Sequence, residues 1–266
     1  MVAVCLAVGH DLYGRNVLLT GGTSGLGAET ARVLASIGAS VTITGRNRSR
    51  GETIAAGLPS GDDCAARFEY LDPGSLSSVR DFAGRYRDSG RPLHILINNA
   101  GIMATPFSRT ADGFESQFGT NHLGHFALTA GLLPALRAAG GARIIAVSSR
   151  AHRRSDVVFD DPNYCRRPYD PWEAYGQSKT ANAIFAVGVT QKHAADGITA
   201  NALMPGAIST GLQDHLSSND FRSLGWMQSG GGLAPPAGWK TIPQGAATTV
   251  WAALTPELDG SGGALP

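Results

Sequence analysis

Tyr175 and Lys179 lie four residues apart in the segment WEAYGQSKTANAIF, and a helix would bring both side chains onto one face. A free tyrosine has a pKa of about 10, and a neighbouring cation favours the phenolate and lowers that value. Such a tyrosine can donate or accept a proton near neutral pH. The same spacing is common on partly exposed helices, so the pair gains meaning only from the residues that accompany it.

A glycine-rich turn, TGGTSGLG, follows the first predicted strand and opens the first predicted helix. At Gly21, Gly25 and Gly27 the bare backbone would let a pyrophosphate approach the helix N-terminus. The spacing G-x-x-x-G-x-G differs from G-x-G-x-x-G, and glycines also form simple tight turns. The place of this turn between a strand and a helix favours dinucleotide binding.

The turn after the second predicted strand bears on the choice of cofactor. A site that selects NAD offers an acid to the ribose 2′-hydroxyl there, whereas this chain has Gly45-Arg46-Asn47-Arg48. Arg46 suits a 2′-phosphate, while Arg48 and Arg50 fit a solvated basic turn. The sequence therefore predicts NADP as the cofactor, with NAD as the alternative.

Predicted strands and helices alternate along the whole chain. The strands are Asn16–Thr20, Val41–Thr44, Ala66–Tyr70, Leu93–Ile97, Arg143–Val147 and Ile198–Met204. This alternation predicts an α/β fold of Rossmann type, a doubly wound parallel sheet flanked by helices, in one domain over residues 1–266. In such sheets, ligands bind beyond the carboxyl ends of the strands, where the residues named above are found.

Composition excludes several other classes of protein. Hydrophobic residues make up 42% and charged residues 16% of the 266 residues, and the net charge of +1 is spread too evenly for a nucleic-acid-binding face. The opening MVAVCLAVGHDL lacks a basic flank and a cleavage site, so we expect neither a signal peptide nor a membrane span. Three widely spaced cysteines suit reduced thiols in the cytoplasm and argue against a disulfide framework or a metal site.

At this point a resemblance to the short-chain dehydrogenase/reductase family is clear, because five motifs occur in that family's order. They are TGGTSGLG, which resembles the TGxxxGxG turn; NNAG at Asn98–Gly101; Asn121 in FGTNHLGHF; the serine after the fifth strand, followed by Pro205-Gly206; and YGQSK at Tyr175–Lys179, which resembles YxxxK. The resemblance runs from about Leu12 to about Leu258.

The resemblance implies a catalytic set of Asn121, Ser149, Tyr175 and Lys179. Tyr175 would pass a proton to or from the substrate oxygen while hydride moves between nicotinamide and substrate. Lys179 would lower the pKa of the tyrosine and hydrogen-bond the nicotinamide ribose. Ser149, with Ser148 as the fallback, would hold the substrate oxygen, and Asn121 would keep a water in line with the lysine. Serine and asparagine also have structural roles in turns.

The resemblance also implies a set of cofactor-binding residues. They are Gly21, Thr23, Ser24, Gly25, Leu26, Gly27, Arg46, Asp72, Asn99, Ala100, Gly101, Tyr175, Lys179, Pro205 and Gly206. Asp72 would lie near the adenine, although an acid before Pro73-Gly74 is also a turn former. Ser24 holds a place where some NADP-using relatives have a basic residue, which leaves Arg46 as the main candidate for the 2′-phosphate.

Within the family, the chain looks closest to the retinol-dehydrogenase-like bacterial reductases, on the segment TGRNRSRGE and on the long stretch between Ser149 and Tyr175. We assign no function to the Asp160-Asp161 pair, which suits a solvated turn, or to the basic cluster from Arg150 to Arg154. The end of the chain, GSGGALP, suggests that the family's seventh strand is short or missing. A homodimer or homotetramer is compatible with the sequence.

The segment 207–240 occupies the position of the family's substrate lid. Its apolar residues are Leu212, Leu216, Phe221, Leu224, Trp226, Met227 and Leu233. A mobile apolar cover would suit a hydrophobic substrate, and an interface or core segment is the alternative. The leading hypothesis is an NADP-dependent oxidoreductase that interconverts a carbonyl and an alcohol on a small to medium, apolar molecule. The alternatives are the same chemistry with NAD and a catalytically silent NADP-binding sensor.

Overall fold

The protein is described from a computed structural model, which covers residues 2–61, 64–226 and 238–263. Six strands form one parallel sheet in the order β3-β2-β1-β4-β5-β6. The strands are β1 Asn16–Thr20, β2 Ser40–Gly45, β3 Ala66–Tyr70, β4 Ile95–Asn98, β5 Ala142–Val147 and β6 Ile198–Leu203. The predicted Rossmann-type α/β fold is therefore confirmed.

Alternate residues of the strands face two separate apolar cores, because successive side chains of a strand point to opposite faces. Val17 and Leu19 of β1 pack into one core with residues of the first two helices and the last helix. Leu18 of β1, with Leu96 and Ile144, packs into the other core. Burial on both faces explains why these strands read as continuous apolar runs.

The described part of the chain contains nine α-helices, most of which cover the two faces of the sheet. They are α1 Val2–Ala7, α2 Gly25–Ser36, α3 Arg48–Ala56, α4 Leu76–Asp88, α5 Ser116–Phe118, α6 Gly124–Ala138, α7 Pro171–His193, α8 Ser218–Ser223 and α9 Ile242–Leu254. A π-helical turn, Gly119–Leu123, joins α5 to α6, and a 3-10 turn, Arg150–Arg154, follows β5. None of the described helices combines the length and apolar composition needed to cross a lipid bilayer.

The fourth strand and the helix α3 differ from the sequence prediction. Leu93 is buried, but its N–H donates to the Ala135 carbonyl of α6 at 2.8 Å, so the strand begins later, at Ile95. The segment expected to be a solvated basic turn forms α3, which Asn47 caps by accepting from the Arg50 N–H at 2.9 Å. Its apolar pattern is weak because only Gly51 and Ala55 are buried.

The strand β6 forms one edge of the sheet. Among the described residues there is no seventh strand. Residues 261–263 lie beside this edge: the Gly263 N–H donates to the Ala200 carbonyl at 2.8 Å, and the Asn201 side chain donates to the Ser261 carbonyl at 3.2 Å.

Candidate active site

A cleft of about 930 Å³ opens at the carboxyl ends of the strands. Every residue predicted to bind the cofactor lines this cleft, as do Ser149 and Ser148. Asn121 is fully buried behind it. The topology produces this convergence, because parallel strands deliver all of their carboxyl-end loops to the same edge of the sheet.

The glycine turn has the close packing and the free donors that a pyrophosphate site requires. Gly21 has a φ of +68°, and a Cβ on Gly27 would lie 2.3 Å from the Gly21 carbonyl oxygen. The Ser24 side chain makes no capping hydrogen bond, and no acceptor for the N–H groups of Gly25, Leu26 and Gly27 is found in the described chain. Uncapped N–H groups at a helix N-terminus attract anionic groups, so the turn fits a dinucleotide.

Asn99, which directly follows the neighbouring strand β4, stabilises the glycine turn. Its side-chain amide donates to the carbonyls of Thr20 at 2.8 Å and Gly21 at 3.3 Å. The sequence placed Asn99 beside the cofactor, and the structure places it both at the cleft wall and under the glycine turn.

The opposite end of the cleft, at β2 and β3, carries Arg46, Thr44 and Asp72. The hydroxyl of Thr44 is buried and has no hydrogen-bond partner in the described structure, so a polar ligand atom could pair with it. The Asp72 carboxylate accepts from the Gly74 N–H at 2.9 Å. Asp72 therefore forms the expected turn and lines the cleft as well.

Tyr175, Ser149 and Lys179 meet at the centre of the cleft. Tyr175 and Lys179 lie on α7, and the side chain of Ser149, two residues after β5, is close enough to the Tyr175 phenol to lower its pKa. The Lys179 ammonium donates to the Val147 carbonyl at 2.9 Å and lies 5.5 Å from the centre of the Tyr175 ring. The buried hydroxyl of Ser148 donates to the Lys179 carbonyl at 2.7 Å, which favours Ser149 over Ser148 as the substrate contact.

Burial shifts the pKa values of Tyr175 and Lys179 in the directions that favour their uncharged forms. Burial raises the pKa of Tyr175 to about 12, and the neighbouring Ser149 side chain offsets part of that rise. Burial lowers the pKa of Lys179 to about 8. The shift of the Tyr175 pKa is opposite to the sequence expectation, because desolvation of the phenolate outweighs the nearby cation. The phenol therefore carries its proton at neutral pH and is set to donate it.

Asn121 lies in the π-helical turn and holds the backbone next to Lys179. Its side chain accepts from the Ile102 N–H at 2.8 Å and donates to the Ile102 carbonyl and to the Ser178 hydroxyl, each at 2.9 Å. A Cβ on Gly101 would lie 3.0 Å from the Asn121 oxygen and 3.7 Å from the lysine nitrogen. The side chain of Asn121 thus connects the loop after β4 to α7, and its backbone carbonyl faces a second buried residue.

That second residue is His125, which the sequence reasoning missed. Its Nδ1 lies 2.9 Å from the Asn121 carbonyl and its Nε2 lies 2.9 Å from the Thr20 hydroxyl. Burial lowers the pKa of His125 to about 4, so the ring is neutral. A carbonyl only accepts, so Nδ1 donates and Nε2 accepts from Thr20. Thr20 in turn accepts from the N–H groups of Asn99 and Ala100 at 2.9 Å, which links the cofactor loop to Asn121.

An apolar wall closes the cleft beside Tyr175. Met103, Ala104 and Tyr175 form a small core against Trp172, Leu212 and others. The Trp172 ring lies 6.2 Å from that of Trp226, which lies 4.9 Å from that of Trp239. Leu212, Trp226 and Trp239 belong to the predicted lid and line the cleft, whereas Met227 and Leu233 fall outside the described residues.

Two other sequence interpretations change in the structure. Asp161 is 7% exposed and accepts from the N–H groups of Cys165, Arg166 and Arg167, so it orders the loop and is not a solvated turn residue. Arg150 and Arg154, to which no role was assigned, line the cleft. Their position depends on how the 3-10 turn packs on α7, which the sequence does not reveal.

Comparisons with known proteins agree with this geometry. The family model described as short chain dehydrogenase matches residues 15–220. A Streptomyces lividans protein named "Probable oxidoreductase" is 49% identical over 94% of this chain and 83% of its own length. The polyprenol dehydrogenase of Mus musculus is 41% identical over 94% of this chain and 74% of its own length. The crystal structure of an uncharacterised Mycobacterium paratuberculosis protein superposes with a TM-score of 0.71 at 37% identity, covering 94% of this chain and 80% of that one.

Proposed function

This chain belongs to the short-chain dehydrogenase/reductase family and is an NAD(P)-dependent oxidoreductase, and from that premise we propose that it uses NADP to interconvert a carbonyl and an alcohol on a small to medium, apolar substrate. The observation that carries the proposal is the close approach of the Ser149 and Tyr175 side chains in the lining of the cleft. The wall formed by Met103, Leu212 and the tryptophans supports an apolar substrate.

In the proposed mechanism, the Ser149 hydroxyl holds the substrate oxygen and the protonated Tyr175 donates to it. The cofactor, when bound, supplies the hydride. Lys179 keeps a positive charge below about pH 8 and stabilises the tyrosine as it loses its proton. Asn121 positions the backbone beside Lys179.

The described cysteines form no disulfide, which supports the cytoplasmic location that we include in the proposal.

Replacing the phenol tests the proton transfer. Tyr175→Phe should lower kcat with NADPH and an aldehyde panel by about 10²–10⁴-fold, because the general acid is lost. Cofactor binding, measured by titration of NADPH fluorescence, should persist. Tyr164→Phe is the matched control, because the Tyr164 hydroxyl is buried without a partner in the described structure and takes no part in the site. Near-normal turnover of Tyr175→Phe would refute the mechanism.

The choice of NADP rests on Arg46, which lines the cleft. We expect Arg46→Asp to weaken NADP binding by at least about tenfold while NAD binding changes less, because the lost guanidinium pairs with a 2′-phosphate. Calorimetric titration with both cofactors measures the two affinities. Arg50→Asp, at an exposed arginine of α3, is the control. Equal losses for both cofactors in Arg46→Asp would mean that the arginine is only a surface charge.

A further inference from the structure

The 3-10 turn that follows Ser149 also carries a cation, Arg154, toward the substrate side of the cleft. Ser149 caps this turn, since its hydroxyl accepts from the Ala151 N–H at 3.2 Å. The serine proposed to hold the reacting oxygen and the arginine therefore belong to one short, continuous element.

This turn is fixed on α7 close to Tyr175. The Thr180 hydroxyl reaches the carbonyls of His152 at 2.9 Å and Ser155 at 2.7 Å. A Cβ on Gly176 would lie 2.7 Å from the Ala151 carbonyl oxygen and 3.2 Å from the Arg154 Cβ. The glycine thus permits a close approach, and the position of Arg154 is set relative to the neighbouring Tyr175.

The guanidinium of Arg154 lies over the aromatic wall. Its Cζ is 5.5 Å from the centre of the Trp172 ring, and that ring centre is 6.4 Å from the centre of the Tyr175 ring. These two distances place the charge at most about 12 Å from the Tyr175 ring. A cation–π contact with tryptophan leaves the N–H groups of the guanidinium available for a carboxylate.

No acid of the described chain neutralises this cation. Arg154 takes part in none of the ion pairs recorded among the described residues, and the acid that lines the cleft, Asp72, lies at the adenosine end. The sequence from 227 to 237, MQSGGGLAPPA, contains neither Asp nor Glu. Arg150 adds a second positive charge to the cleft lining.

We propose that the substrate is an apolar carbonyl compound or alcohol that also carries a carboxylate, and that Arg154 binds this carboxylate. This inference rests on the proposed function and narrows its substrate class. The apolar body lies along Trp172, the reacting oxygen meets Ser149 and Tyr175, and the carboxylate pairs with the guanidinium at the mouth of the cleft. Arginine suits this role because its planar fork matches the two carboxylate oxygens.

The test compares two substrates of equal shape, 4′-formylbiphenyl-4-carboxylate and the corresponding neutral carboxamide. The wild-type protein with NADPH should favour the carboxylate by about fivefold in kcat/KM, mainly through KM, since the pair is open to solvent. Arg154→Gln should abolish the preference, chiefly by raising the KM of the carboxylate to that of the carboxamide. High salt should reduce the preference in the wild-type protein. Arg153→Gln, at an exposed arginine of the same turn that does not line the cleft, is the matched control.

A binding measurement separates failure of this inference from failure of the proposed function. Biphenyl-4-carboxylate and biphenyl-4-carboxamide lack the reacting carbonyl, and calorimetry of the protein with NADP reports their affinities. If neither aldehyde is reduced but the inert carboxylate binds more tightly and only through Arg154, the chemistry is wrong and the anion site stands. Equal affinity and turnover for acid and amide, or a preference that persists in Arg154→Gln, would overturn the anion site.

Discussion

Lys179 is only 4% exposed, and keeping an ammonium group there costs stability at neutral pH. Its pKa falls from 10.5 to about 8 on folding, because burial disfavours the charged form. Below about pH 8 both the folded and the unfolded chain carry the charge, so the cost is fully present. Between about pH 8 and 10.5 the unfolded chain binds more protons, and stability due to this group rises with pH.

Lys179→Met should therefore raise the free energy of unfolding at pH 7 by up to about 3 kcal/mol, at 1.36 kcal/mol per pKa unit. The Val147 carbonyl keeps the Asn182 side chain as a donor at 3.2 Å, so the substitution leaves it paired. Urea unfolding at several pH values should show this advantage shrinking as the pH rises toward 10.5. Lys192→Met, at an exposed lysine of the same helix, controls for the loss of a positive charge. An advantage of equal size at all these pH values would contradict the argument.

Some residues of the site could be predicted from the sequence because their partners are close in the chain or in a fixed motif. Tyr175 and Lys179 share one turn of α7, and Ser149 closely follows a strand that periodicity reveals. His125 could not be predicted, since its partner Thr20 is 105 residues away and meets it only through the sheet order. The position of Arg154 likewise depends on tertiary packing against Trp172.

At the scale of elements, the strands were more predictable than the surface helices. Strand β1 has the predicted bounds because it is a short buried apolar run, and the edge strand β3 has them because Ala66, Phe68 and Tyr70 alternate with charged residues. The helix α3 was missed because contacts through Gly51 replace an apolar stripe: a Cβ there would lie 2.1 Å from the Phe68 ring. Nor does the sequence signal the π-helical turn that carries Asn121.

That turn is held in place by the start of α6, where Gly124 lies against the backbone of the loop after β3. A Cβ on Gly124 would lie 2.0 Å from the Pro73 carbonyl oxygen, and backbone atoms must move to admit it. Gly124→Ala should therefore lower the free energy of unfolding by about 1–3 kcal/mol. It should also lower kcat, because the displaced helix moves Asn121 away from Ile102.

A glycine in an open helical position supplies the comparison. Gly84 lies within α4, and a Cβ there would meet no atom within 4 Å. Gly84→Ala should raise the free energy of unfolding by about 0.5–1 kcal/mol, because alanine loses less backbone entropy in a helix. Chemical denaturation and steady-state kinetics measure both variants. If both substitutions changed the free energy of unfolding in the same direction, the close approach of Gly124 to the Pro73 backbone would not be what requires a glycine at this position.

At the scale of the whole molecule, the cleft joins residues that are far apart in the chain. Its walls include Gly21 after β1, Arg46 after β2, Ala100 after β4, Ser149 after β5 and Gly206 after β6. These loops begin where the strands of the sheet end. The hydrogen bonds between paired strands therefore do not extend to the loops. One ligand bound along the cleft would therefore connect segments of both cores.

Cofactor binding should for this reason stabilise the whole fold and not only the glycine turn. NADPH at about 100 times its Kd should add about 2.7 kcal/mol to the free energy of unfolding, which lowers the population of the globally open state by about 100-fold. In hydrogen exchange, amides in the centres of β1, β4 and β5 should slow by that factor, along with the loops at the carboxyl edge. Loops at the amino edge, such as the one at Gly140 and Gly141, open locally and should exchange at unchanged rates. Protection confined to residues 21–27 would show instead that the cofactor holds a single loop and that the carboxyl edge does not respond as a unit.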